Sequence, residues 1–290
     1  MGLFCAEMVN VTGPSLVILA AGRARRYGGL KQLAPIGVHG EGIIDLLASD
    51  AYAAGFDDIV IVVNRDTGDS IKEHVAASWP KDHKVSFTYQ DQLRGTVDAV
   101  LSAVPALDTS KPFGVSNADD LYGRDAFMKL GSHLINSTNN CLVGFELDQA
   151  LVGTLPVSRG TCHVVNGHLT EIAERKNVQA TLDGFVANDG LEPSVLNPST
   201  LVSMNLWGFR PEILPFMERC VAEHDFEAES EIQLPVFVGS ILHRTPFRFD
   251  VLPTHSRCIG VTHADDLPLA QILVREEVAR GERPEFAFKN

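Results

Sequence analysis

Positive charge is scarce in this sequence. Against 37 aspartates and glutamates stand only 24 lysines and arginines, a formal net charge of −13 over 290 residues. A surface of that sign repels a phosphate backbone except at a local basic patch, which excludes a general DNA- or RNA-binding role. Cysteine is sparse too. Its five copies (Cys5, Cys141, Cys162, Cys220 and Cys258) lie far apart, with no CxxC pair. Odd number and wide spacing exclude a disulfide framework and a structural zinc site, and suit a reducing cytosol. HExxH is absent from the ten histidines, and His163 and His168 merely flank a turn at Asn166-Gly167. No apolar run reaches the roughly 18 residues of a membrane span. The opening MGLFCAEMVNVTGPS lacks the basic and long apolar regions of a secretory signal. The expectation is a soluble, cytoplasmic protein with no nucleic-acid partner and no membrane partner.

What the chain does have is apolar residue, 45% of the total, enough for a large core. Apolar runs and helical periodicities alternate over the first half. Leu16–Leu19, Ile59–Val63, Val85–Tyr89 and Phe113–Ser116 read as strands. Ile43–Ala54, Ser70–Ser78, Thr96–Val104 and Asp125–Leu134 read as helices. Continuous runs such as IVIVV suit strands buried on both faces, so the expected fold is α/β, with a doubly wound, mainly parallel sheet. After Cys141 the pattern turns strand-rich (Leu142–Phe145, Gly160–Val165, His168–Ala173 and Ser203–Gly208), which predicts a mixed, β-rich extension. Gln179–Thr200 reads as a long loop, Pro211–His224 and Glu229–Leu242 as helices, and residues 264–281 as a C-terminal amphipathic helix. An apolar face on that last helix offers a surface for homo-oligomerisation. The organisation expected is a tail (1–14) and one domain (15–290). Its alternating half covers about 15–135, its strand-rich half about 136–290.

Three stretches carry chemistry. In LVILAAGRARRYGGLKQLAPIG, the strand runs from Leu19 into Ala20, Ala21 and Gly22, then into Arg23, Arg25, Arg26, Gly28, Gly29 and Lys31. Small residues after a buried strand let backbone approach a phosphate, and the cations answer its charge. Asn117-Ala118-Asp119-Asp120 closes another strand with two carboxylates, hard oxygen ligands for Mg²⁺ or Mn²⁺, or else a cap for the next segment. In YQDQLRGTVDAV, Gln90 offers an amide to a base edge, and Gly95-Thr96 begins a helix. The first two stretches lie at carboxyl ends of strands, where doubly wound sheets bind ligands.

These residues together resemble the sugar-1-phosphate nucleotidyltransferases (nucleoside-diphosphate-sugar pyrophosphorylases) over most of the chain. LAAGRARR…LK is similar to that family's LAAGxGxR…K opening, matching Gly22, Arg26 and Lys31. VSNADDLYG resembles its metal-aspartate segment, HLTEIAERKN its E-K-P segment, and LVSMNLWGF its sugar-pocket strand. The resemblance implies a Rossmann-like nucleotidyltransferase fold, with a nucleotide-binding half over about 15–135 and an acceptor-binding half with the C-terminal helices over about 136–290. It also implies transfer of a nucleotidyl group from a nucleoside triphosphate to a sugar-1-phosphate, with release of pyrophosphate. Arg26, Lys31 and Asp119 would be catalytic, and Asp119 would carry the metal. Leu19, Ala20, Ala21, Gly22, Arg23, Gln90, Gly95 and Thr96 would hold the nucleotide. Asp120, Glu174, Arg175 and Asn205 would hold the sugar phosphate, with Lys176 as the alternative cation to Arg175. Departures mark a divergent branch: Ala24 for Gly, Leu30 for Pro, Arg175 for Lys, and Ile259 before Gly260 where a second metal Asp is usual. Asp265 or Asp266 would then supply that ligand. Two alternatives stay open: a cytidylyl- or molybdopterin-type nucleotidyltransferase of the same fold, and a non-catalytic nucleotide-sugar-binding protein.

Overall fold

The computed structural model describes all residues except 1–11, 23–29, 152–155, 182–183, 228–230, 262–263 and 289–290. The first half alternates as its periodicity requires: β1 (Ser15–Leu19), α1 (Ile43–Ala53), β2 (Asp58–Val63), α2 (Gly68–Ser78), β3 (Lys84–Tyr89), α3 (Thr96–Ala103), β4 (Phe113–Asn117), a short β5 (Asp120–Leu121) and α4 (Arg124–Asn136). Next come β6 (Asn140–Glu146), β7 (Val157–Val165), β8 (His168–Thr181), β9 (Gly184–Ala187), β10 (Val195–Leu196) and β11 (Leu201–Phe209). The chain closes with α5 (Leu214–Glu223), α6 (Leu234–Ile241), β12 (Phe249–Thr254), β13 (Ile259–Gly260) and α7 (Leu267–Ala279).

One mixed sheet runs β10-β9-β8-β12-β6-β11-β4-β1-β2-β3, with β7 pairing β8 and β11. The first four strands are parallel in the order β3-β2-β1-β4, and β11 joins β4 antiparallel. Both faces are covered, which is why β1 and β2 are apolar without alternation. Leu16, Ile18, Ile59 and Ile61 pack with residues of α1, α2 and α4, whereas Val17, Val60 and Val62 pack with residues of α3, α5 and α6. The chain leaves β1 toward β2 and later returns to β4 on its other side. That places the switch point of the sheet between β1 and β4, where a crevice opens beyond the strand ends.

Three expectations need correction. The stretch from Gln179 to Thr200 is not one long loop, because β8 continues to Thr181 and β9 and β10 extend the sheet edge. Of the helix expected over Glu229–Leu242, α6 forms only from Leu234. Ile232 instead exchanges backbone hydrogen bonds with Arg94 and Val97, as strand-like segments do. Finally, the apolar pattern predicts no strand over Phe249–Thr254, where Pro253 interrupts it, yet β12 forms there. The strand pairs with β6 along its length but with β8 only at Asp250, so Pro253 lies beyond the paired stretch on that side. No helix among the described residues is long and apolar enough to cross a membrane.

Candidate active site

The β1 and β4 loops meet in space, although about a hundred residues separate them in the chain. The Lys31 ammonium forms an ion pair with the Asp119 carboxylate, and their side chains stay 19% and 29% exposed. Arg23 and Arg26, and with them Arg25, Gly28 and Gly29, lie outside the described residues. Around the ion pair the loop is held by side chains that motif reading missed. The Asn64 amide donates to the Ala21 carbonyl at 2.8 Å, while its own oxygen receives the Asp66 and Thr67 N–H groups. Gln32 donates to the Ala20 carbonyl at 3.3 Å. The Ala20 N–H is already bonded to the Val62 carbonyl at 2.8 Å, so it does not serve a ligand.

Asp119 and Asp120 do not cap α4, whose first turn is preceded by Gly123. They are placed by Tyr122, a fully buried residue whose hydroxyl accepts from the Asn117 N–H and donates to the Met204 carbonyl. Asp120 accepts 2.9 Å from the Asn117 amide. Desolvation, with the Asp119 charge beside it, pushes its carboxyl up to about 6 against the pull of Asn117, Arg159 and Lys31. Across β13, a Cβ on Gly260 would stand 2.6 Å from the Asp120 carboxylate, so a side chain there would crowd it, while Ile259, where the second aspartate is usual, is buried in an apolar cluster with Leu121 and Val261. Asp265 and Asp266 line neither cavity described below.

A cleft of about 870 Å³ opens over the strand ends, lined by Leu19, Ala21, Gly22, Gln90, Gly95 and Thr96, among others. Gly95 takes φ +101°, and a Cβ there would collide with the Ile232 backbone. Thr96 does not cap its own helix. Its hydroxyl accepts the Leu234 N–H at 2.7 Å and so caps α6 instead. A second, polar pocket of about 230 Å³ contains Asp120, Ser158, Arg159, Glu174, Ser203 and Cys258. The two cavities share Asn117, Asp119 and Asn205 as a common wall. Asn205 takes φ +61° where the β11 register slips, a conformation asparagine tolerates better than most residues. Burial pushes the Glu174 carboxyl up, opposed by Arg159 and Lys176. Another cleft, about 540 Å³ beside Gly123, Arg257 and Glu276, holds none of the expected residues.

The structure does not bring Arg175 to the small pocket. Successive strand residues face opposite sides. Glu174 lines the small pocket, and Arg175 lines another cavity with Glu171 and Ala173. There its guanidinium binds Asp189 at 2.7 and 3.1 Å and the carbonyls of Leu191 and Pro193 at 3.0 Å. The pair is buried, each side chain 4% exposed, and Arg175 holds the Asp189 carboxyl well below the usual range. Arg175 thus fastens the 189–193 segment to β8. Arg175→Ala should lower the melting temperature by several degrees while leaving the acceptor KM nearly unchanged, because a buried charge loses its partner. A large rise in acceptor KM at unchanged stability would return Arg175 to the site. The cation that does line the small pocket is Arg159. It donates to the Ala150 carbonyl at 3.0 Å and sits close enough to Asp120 and Glu174 to oppose the rise that burial imposes on both carboxyls. Its signal, an arginine opening a strand, is too common to be found by pattern.

Two neighbouring carboxylates, one with no ion pair among the described residues, are a hard-oxygen donor set of the kind Mg²⁺ takes alongside substrate phosphates. Among the described residues no group of three or more His, Cys, Asp and Glu has metal-site geometry.

Comparison with known proteins agrees with this layout. The MobA-like NTP transferase domain matches residues 16–191. No curated protein matches the chain. Among solved structures, the inositol-1-phosphate CTP transferase from T. maritima superposes with a TM-score of 0.66 at 11% identity, covering 92% of this chain and 97% of its own. A UDP-glucose pyrophosphorylase complexed with UDP-glucose gives 0.64 at 19% identity, with coverages of 91% and 99%. A putative glucose-1-phosphate thymidylyltransferase from Bacillus anthracis, in complex with a sucrose, gives 0.67 at 13%, with coverages of 90% and 95%. The family match covers more than half of the sequence, and the crevice lies where the fold binds its ligands: the chain belongs to the MobA-like NTP transferase domain family and has a nucleotidyltransferase fold.

Proposed function

We propose that this chain joins a nucleoside triphosphate to a sugar-1-phosphate, releasing pyrophosphate and forming a nucleoside-diphosphate sugar. The observation that carries the reading is the shared wall. A cleft large enough for a triphosphate meets a small polar pocket at Asn117, Asp119 and Asn205. The small pocket's carboxylates, hydroxyls and arginine suit a phosphorylated polyol better than a fused aromatic ring, which favours a sugar over a pterin acceptor.

An oxygen of the acceptor phosphate would attack the α-phosphorus, and the bond to the β-phosphate would break with its electrons leaving on pyrophosphate. The protein's task is positioning and charge neutralisation. Lys31 would leave Asp119 for the triphosphate oxygens, joined by Arg23 and Arg26 from the same loop. Arg159 would hold the acceptor phosphate, with Lys176 beside Glu174 as a second cation. Glu174, Ser203 and Asn205 would bond sugar hydroxyls. Asp119, with Asp120, would hold Mg²⁺ or Mn²⁺, which offsets phosphate charge when bound.

Arg159→Ala should raise the acceptor KM at least about tenfold with little change for the triphosphate, the scale of one lost charged hydrogen bond. Equal weakening of both substrates would remove Arg159 from this role. The reaction itself is tested by pyrophosphate release from ATP, CTP, GTP, UTP and dTTP with a panel of hexose-1-phosphates. A parallel arm uses inositol phosphate, the acceptor class in the name of the T. maritima structure. Turnover only in that arm would replace the sugar reading with cytidylyl-type transfer to another polyol. Nucleotide-sugar binding without turnover would support a sensor.

A further inference from the structure

We propose that Asp98 sets which nucleobase the large cleft accepts, by locking Gln90 as a hydrogen-bond acceptor. The inference rests on the reading of that cleft as the nucleotide site. Gln90 follows β3 and is 4% exposed, so its amide must find partners inside the protein or in the cleft. Both amide protons have internal partners. Nε2 donates to the Gly95 carbonyl at 3.1 Å and to Asp98 Oδ2 at 2.9 Å. Because both partners only accept, the turned-over amide would set oxygen against two oxygens. The network therefore assigns the orientation. What Gln90 leaves for the cleft is its carbonyl oxygen.

The lock is rigid on both sides. The Gly95 carbonyl also receives the Ala99 N–H at 3.1 Å, and Gly95 is pressed against the Ile232 backbone. Asp98 sits in the first turn of α3, where the helix dipole favours a carboxylate. A glutamine free to turn would present either a donor or an acceptor, and would suit any base edge. The locked one requires an N–H from the base and opposes a carbonyl or ring nitrogen at that point. A site built for one hydrogen-bond sense discriminates more sharply than a shape-matched apolar one. Asp98 lines neither cavity, so it acts through Gln90 as a positioning residue.

Calorimetric binding of ATP, CTP, GTP, UTP and dTTP with Mg²⁺ tests this without needing the acceptor. Asp98→Ala should shrink the affinity ratio between the best and second-best triphosphate by about tenfold, the scale of a charged hydrogen bond. Asp98→Leu serves as a second variant should the first be unstable. Asp98→Asn, whose oxygen still accepts from Gln90, should keep the ratio. In the Gln90→Ala background, Asp98→Ala should add no further change. The proposal fails if Asp98→Ala weakens every triphosphate equally, or if its effect persists in full without Gln90. Loss of preference in Asp98→Asn as well would also sink it. If Gln90→Ala leaves the preference intact, the base lies elsewhere and the reading of the cleft fails with it. A negative sugar-phosphate assay would touch neither result.

Discussion

Lys31→Ala should lower turnover by about two to three orders of magnitude, the scale expected for losing one preorganised charge at a phosphoryl transition state. Three observations set that expectation. Lys31 begins the turn after the β1 loop, its ammonium lies against Asp119 on the wall of the cleft, and its side chain retains some exposure. A flexible ammonium is suited to moving from a carboxylate to a phosphate oxygen. The same variant removes the cation that neutralises Asp119 in the free protein. It should therefore bind Mn²⁺ more tightly than the unaltered protein when no nucleotide is present, as read by electron paramagnetic resonance. Pyrophosphate release at a near-normal rate from a folded variant would take Lys31 out of the mechanism.

Asp119→Asn should cost a comparable or larger factor, about three orders of magnitude, and should abolish Mn²⁺ binding. Asp120→Asn should weaken the ion without abolishing its binding. The two carboxylates differ in setting. Asp119 stands on the wall shared by both cavities and faces a cation. Asp120 is tied to the Asn117 amide, and desolvation holds it closer to its neutral form. An ionised carboxylate is the better ligand for a hard cation. Chelator should remove activity from the unaltered protein, and added Mg²⁺ should restore it. If Asp120→Asn loses the ion and Asp119→Asn keeps it, the assignment is reversed.

Much of the molecule follows from local rules. Continuous apolar runs at Leu16–Leu19 and Ile59–Val63 are what a strand covered on both faces demands, and both became central strands. The small residues after β1 and the paired aspartates after β4 could be placed at strand ends from periodicity alone. Their meeting followed from the parallel order of the strands. Where neighbouring residues lie in a strand, local reading stops. HLTEIAERKN places a carboxylate and a guanidinium side by side, and the pleat sends Glu174 to the pocket and Arg175 to Asp189. Nothing near Arg175 in sequence names Asp189, fourteen positions away, as the partner that consumes its charge.

The sequence by itself determined the layered α/β core, the position of the small residues after β1 and that of the carboxylate pair, because each depends on spacing along a few consecutive residues. Only the tertiary structure decided which cation faces the small polar pocket, which hydroxyl caps which helix, and which way the Gln90 amide points. Each of these is settled by a partner from a separate element or turn: Arg159 on β7, Leu234 of α6 against Thr96, and Asp98 on α3 against Gln90. A hydrogen bond or ion pair depends on distance and direction in space. Chain spacing constrains those only inside a single helix, strand or turn.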